Sequence, residues 1–173
     1  MRKAQVAGQV FIYILAIVVV GLIIAYGYSA IKGFTQKGEQ VEYITLKTGL
    51  ENAFKGIISD YGSVKRLDDL NIPGKYSMVC FVDKDRASAA NEFAICTKQT
   101  TLEKYYNPIA CSGWKTGRSN VFLMPDGSDS FDVGKILFED NEGRPFLCID
   151  VVNNKIKLQL ESRGNAVVVS EYS

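Results

Sequence analysis

Four cysteines, Cys80, Cys96, Cys111 and Cys148, are the residues whose type and spacing point most directly to covalent chemistry. No two form a C-x-x-C pair, and the 173 residues contain no histidine. A structural zinc site needs Cys or His ligands at short paired spacings, so none is expected here. An even number of widely spaced cysteines predicts two disulfides in an oxidising compartment. Four buried free thiols in a cytosolic domain are the alternative. The missing histidine also removes the commonest general base and every Ser–His or Cys–His nucleophile pair.

Carboxylates are the next candidates. The stretch PDGSDSFD sets Asp126, Asp129 and Asp132 around Gly127. A calcium loop of the EF-hand type needs ligands at alternate positions and a closing Glu at the twelfth, and this stretch has neither. A turn between two strands accounts for it equally well. The cluster Glu139, Asp140 and Glu142 reads as a solvated hairpin tip, and Lys65-Arg66 beside Asp68-Asp69 as a charged surface turn. Trp114 with Tyr105 and Tyr106 reads as core aromatics before a contact surface. No glycine-rich phosphate loop or nucleophile elbow occurs. The expectation is a non-enzyme with no catalytic, cofactor-binding or metal-ligating residue.

What must position these residues begins with an apolar run. Val10 to Ile31 carries no charge, in a chain that is 23% charged overall. A helix rises about 1.5 Å per residue, so about 20 such residues cross a hydrocarbon core. Lipid offers no partner for backbone polar groups, which leaves a helix as the form of a lone span. Tyr26 and Tyr28 lie near one end, where amphipathic rings favour the headgroup level. A buried core helix would need most of the remaining chain wrapped around a charge-free rod. The run is read as a membrane helix. Without Arg2, Lys3 and Lys32, 17 basic residues of the 20 face 19 acidic ones, so no basic footprint for nucleic acid is present.

Arg2-Lys3-Ala4, then Gln5, then the apolar run resemble the type III signal of type IV pilins, particularly their archaeal relatives. The resemblance covers roughly the first 32 residues. It implies cleavage between Ala4 and Gln5 by a prepilin-type peptidase. Cleavage there makes Gln9 the fifth residue of the mature chain. Many members of that family carry Glu at this position, paired with the amino terminus of a neighbouring subunit. Gln9 accepts a hydrogen bond but cannot neutralise an ammonium, and it is the candidate assembly residue. A cut between Gly8 and Gln9 and an uncleaved anchor remain open. Basic residues packed at the very start favour an inside N-terminus, which leaves the cysteines outside.

Beyond the run the pattern becomes periodic. Tyr43, Leu46, Leu50, Ala53, Phe54, Ile57, Ile58 and Tyr61 recur at three and four residues, one stripe of an amphipathic helix, with Gly62 as its stop. Residues 131–139, 145–152, 155–161 and 166–171 read as strands joined by short turns, and such links predict an antiparallel meander. Ile156, Leu158 and Leu160 alternate with charged and polar residues, so one face is apolar. Helix stripe and sheet face are expected to cover each other. Between them, 75–83 and 120–124 read as strands, 92–97 as a further candidate, and 101–114 as loop with a turn at Asn107-Pro108. In FLCIDV, Leu147, Ile149 and Val151 alternate with Phe146, Cys148 and Asp150. If the first set faces the helix, Cys148 lies on the outer face and needs a partner from the middle region folding over that face. Three connectivities stay open, and Cys80–Cys148 with Cys96–Cys111 is the preferred one.

The expected class is therefore α+β: a long N-terminal helix, half membrane and half amphipathic, packed on a C-terminal meander, which the resemblance makes pilin-like. The expected organisation is a leader at 1–4, a transmembrane and assembly helix at 5–32, an amphipathic helix at 33–62 and an extracytoplasmic β-rich domain at 63–173. The leading function is a structural subunit or minor component of a pilin-like surface filament. Its partners would be membrane lipid and identical or related subunits. The alternative is an uncleaved, single-pass membrane-anchored binding module.

Overall fold

The computed structural model describes residues 3–98, 101–139 and 144–172, without the side chains of 3–9, 33–37 and 91. The chain divides into two compact units, Met1–Val41 and Glu42–Ser173. Helix α1, Lys3–Ile58, supplies the first and enters the second. No proline precedes Pro73, so nothing in this stretch removes a helical donor. Within the second unit Leu46, Leu50, Ala53, Phe54 and Ile57 are buried at helical spacing, while Thr48, Asn52, Lys55 and Gly56 are exposed. The helix ends at Ile58, short of Tyr61, and Gly62 takes a positive φ of 78° in the turn that follows.

Among the described residues eight strands follow, and they form two sheets rather than one meander. The first sheet runs β1 (Val64–Leu67), β7 (Leu158–Ser162), β8 (Val167–Glu171), β5 (Ile136–Leu137). The second runs β4 (Ser130–Phe131), β3 (Val121–Met124), β2 (Met78–Val82), β6 (Phe146–Asp150). Every pairing is antiparallel except β5 with β8. Among the described residues of the β5–β8 region, β7 and β8 are the one pair both consecutive and joined as strands.

The expected meander fails at two places, each for a visible reason. The two-residue turn at Asn153-Asn154 does form, with φ of 53° and 60°, but it is closed by a single bridge between Val152 and Lys155. Its arms then go to different sheets. Strand β6 is apolar on both faces and needs cover on both, whereas β7 alternates and needs cover on one. The expected strand 131–139 is likewise split, between β4 in one sheet and β5 in the other. Gly134, at φ 99°, lies between them. The buried side chain of Asn120 holds this crossing: Nδ2 donates to the Gly134 carbonyl at 2.5 Å, and Oδ1 accepts from Val133 N at 3.0 Å.

Three further expectations are corrected. Lys65 and Arg66 are not in a turn but in edge strand β1, where exposed basic residues suit a free edge. Residues 92–97 form no strand; a 3-10 helix, Lys84–Glu92, is followed by turns. Helix α2, Pro108–Lys115, occupies the expected loop.

The second sheet carries a core on each side. Val79, Phe81, Val121, Leu123 and Ile149 join the α1 stripe and Ile156, Leu158, Leu160, Val167 and Val169 in one core. Met78, Cys80, Phe122, Met124 and Phe146 point into the other, covered by Ala90, Ile95, Ala110 and Trp114. All five residues of β2 are buried as a result.

Candidate functional site

The residues with functional promise lie in three places: the apolar run of α1, the cysteine-bearing core, and two surface grooves. The segment Val10–Lys32 is long and apolar enough to cross a membrane, and none of it is buried. Phe11, Ile17 and Ile24 are each about two-thirds or more exposed, at 67%, 72% and 66%. Apolar surface left in water costs about 25 cal/mol per Å², a cost that a membrane span would spare this segment. The backbone of Ala4, Gln5 and Gln9 belongs to α1, and their side chains lie outside the described residues.

Both cysteine pairs stand at disulfide distance, Cys80–Cys148 at 2.03 Å and Cys96–Cys111 at 2.05 Å. Cys80 and Cys148 are register partners on β2 and β6. Val151 N donates to the Ser77 carbonyl and Asp83 N to that of Pro145, so the odd-numbered residues of β6 take the ladder bonds. Cys148 therefore sits at a non-hydrogen-bonded pair, where strands come closest, and its Cα is 4.0 Å from that of Cys80. Cys148 does face away from the α1 core, but its partner is the neighbouring strand of the same sheet rather than a segment folded over it. The middle region still covers that face, and Cys96–Cys111 ties its turn to α2.

The carboxylates of PDGSDSFD do not converge. Asp129 accepts hydrogen bonds from Tyr76 Oη and from Lys75 Nζ, the latter at 3.0 Å, and Asp132 accepts from Lys84. Asp126 is exposed. The Tyr76 hydrogen bond, with help from Lys75, holds the Asp129 carboxyl below the usual carboxylate range. Burial pushes the Tyr76 phenol up to about 12, and Asp129 adds to the shift. Tyr43 on α1 donates to the Ser130 carbonyl at 3.3 Å and is also raised, chiefly by burial. This cluster joins α1, the 73–77 loop and the 126–130 turn, a structural role. Glu139 pairs with Arg163 at 2.5 Å, whereas Asp140 and Glu142 lie outside the described residues. Among the described residues no group of three or more His, Cys, Asp or Glu is placed to hold a metal ion.

Trp114 is fully buried, its Nε1 donating to the Asp83 carbonyl at 2.7 Å, and Tyr105 packs edge-on against Phe146. Sequence reasoning missed the grooves. One, of about 780 Å³, opens where β6 and β7 diverge; Asp68, Asp150, Lys155, Lys157, Glu171 and Tyr172 contribute to its walls. Its charges of both signs are partly spent, Lys155 on Asp69 and Asp150 on Lys104. The other, of about 510 Å³, lies between α2 and the β3–β4 turn and contains Arg118. The signal for α2 was legible, since Asn followed by Pro opens many helices. The grooves themselves arise from segments distant in sequence. No protein-family model, curated protein or solved structure matches this chain.

Proposed function

We propose that this chain is a structural subunit or minor component of a type IV pilin-like surface filament, anchored or assembled through α1. The supporting observation is that one helix carries an uncovered apolar run and, from Leu46, a stripe on which the α+β domain builds its core. An anchor would need only the first. Sharing one helix between lipid-soluble and domain-core roles suits a subunit that leaves the bilayer by exchanging lipid for the apolar runs of its neighbours. Disulfide-distance cysteine pairs agree with an oxidising, extracytoplasmic side for the domain. The basic-Ala-Gln junction at Ala4 and Gln5 supports maturation by a prepilin-type peptidase.

Electron microscopy of native membranes and of sheared surface material, with immunogold label against the 42–173 region, tests this reading. Labelled filaments are the expected result. Label confined to membranes, with the chain extracted as a monomer, would overturn it. The second reading, a membrane-anchored binding module, is favoured by the two grooves.

A further inference from the structure

We propose that the groove between α2 and the β3–β4 turn binds a carboxylated sugar, a uronic-acid unit of an acidic saccharide, through Arg118. This inference is independent of whether the chain forms filaments. Five residues around the groove bear hydroxyls, Ser112, Thr116, Ser119, Ser128 and Ser130, and no carboxylate lines it. Thr116 spends its hydroxyl on the Gly113 carbonyl, and Ser130 donates to Ser119 at 3.2 Å. Ser112 and Ser128 make no such bond among the described residues.

Among the described residues lining the groove, Arg118 alone is charged. Arg66 and Arg163 are engaged by Gln159 and by Glu139 with Glu161, but no described carboxylate pairs with Arg118. The nearby Asp129 is held by Tyr76 and Lys75 and is not a competitor.

The walls of the groove are closely packed against the elements beneath them. A β-carbon on Gly113 would stand 2.6 Å from the Phe122 ring, so α2 rests directly on that ring. Gly127 on the opposite wall is pressed as closely on Asn107, 2.8 Å from its Oδ1 by the same measure. Close packing beneath a site limits the ordering that binding must impose.

The ligand class follows from this chemistry. A guanidinium presents a planar fork that pairs bidentately with a carboxylate or a phosphate, and its single charge is balanced by one carboxylate. A phosphate dianion would leave a charge unmatched. Hydroxyls that both donate and accept suit a polyol, and Ile109, 53% exposed, gives an apolar rim for the face of a sugar ring. A volume of about 510 Å³ lies within the usual range for small-molecule sites.

The test uses the full chain in micelles of a detergent carrying neither sugar nor phosphate, with isoleucine methyl groups isotope-labelled for NMR. The probes are digalacturonate, a neutral digalactoside, propionate and inorganic phosphate. Digalacturonate should shift the Ile109 methyl saturably, with a Kd at least about tenfold below those of the other three. Arg118→Gln should weaken it at least about tenfold while the buried Ile95 methyl keeps its position, which reports an intact fold. Lys115→Gln, on an exposed helix position outside the groove, should change it less than about twofold. No saturable shift would overturn the proposal. So would equal response to propionate or phosphate, or undiminished affinity in Arg118→Gln.

Discussion

Asn107 fills the space that a β-carbon on Gly127 would need. Its Oδ1 accepts from Ile109 N and Ala110 N at 2.9 Å, and its Nδ2 donates to the Pro125 carbonyl at 2.6 Å. One side chain thus caps α2 and holds the β3–β4 turn. Asn107→Ala should cost about 1 kcal/mol for the cap and about 1 more for the lost turn contact. Gly127→Ala should cost at least about 1 kcal/mol through its positive φ of 68°, and more by displacing the cap. Because the two share a cause, the double variant should fall short of the sum by about 0.5 kcal/mol or more. Urea unfolding of the micelle-solubilised chain, read by its single tryptophan, measures all three. Strict additivity would separate cap from turn.

Phe54 and Lys55 are neighbours on α1 with opposite surroundings. Phe54 is 1% exposed within the core that also holds Leu158 and Leu160. Lys55 is exposed and reaches Glu51 only at 3.9 Å. Phe54→Ala should cost about 3–5 kcal/mol and Lys55→Ala no more than about 0.5. Alanine favours helix at both sites, so propensity alone predicts no large loss. Equal small effects in the same unfolding experiment would mean that the stripe does not carry the core.

The cluster of Lys75, Tyr76 and Asp129 predicts a pH profile. The Tyr76 pKa is raised from 10.0 to about 12, and that of Lys75 is raised by hydrogen bonding to Tyr76 and Asp129. Raised folded values mean that their stabilisation is complete below the unfolded pKa and is lost as pH rises. The Asp129 value is lowered from 3.8, so its contribution is present above that pH and is lost on acidification. Stability from this cluster should be level between about pH 5 and 9, falling above about 10 and below about 4. Tyr76→Phe should run parallel to the parent across the plateau and approach it on both limbs. A constant offset at every pH would contradict the assigned shifts.

Both cysteine pairs should be oxidised in the native protein. Non-reducing peptide mapping should find Cys80 with Cys148 and Cys96 with Cys111, and no alkylatable thiol. Their sequence separations of 68 and 15 close loops of different length. Replacing both cysteines of the first pair by Ala should cost about 4 kcal/mol, and of the second about 3, on loop-closure grounds. A reversed order would show that packing around each bridge outweighs loop length.

Processing should occur between Ala4 and Gln5. Intact mass spectrometry of membrane-extracted protein should show a chain beginning at Gln5. A mass that retains Met1 or Arg2 would remove the support for pilin-like maturation and leave the anchored module as the better reading.

Composition and local pattern alone made several features of this protein legible. Twenty-two uncharged residues make a helix long and apolar enough to cross a membrane, a property of length and composition alone. The stripe from Leu46 to Ile57 follows from a helical period that any core must respect. Strands at 78–82, 121–124, 158–162 and 167–171 carry enough apolar or alternating residues to be recognised without partners.

Tertiary structure alone decided which strands meet. Short turns suggested that β6 pairs with β7, yet a turn dictates only the direction of its first bridge. Burial decides where the strands go next. Phe146 and Cys148 need one core while Leu147 and Ile149 need another, which a place beside β2 satisfies and a place beside β7 does not. The same non-local demand made Lys65 and Arg66 a strand, since an edge strand takes its conformation from its neighbour rather than from its own polar residues. The groove around Arg118 is the extreme case: Ser112 and Ser128 line one groove because α2 packs on Phe122 and the 125–127 turn packs on Asn107, a proximity that no sequence spacing encodes.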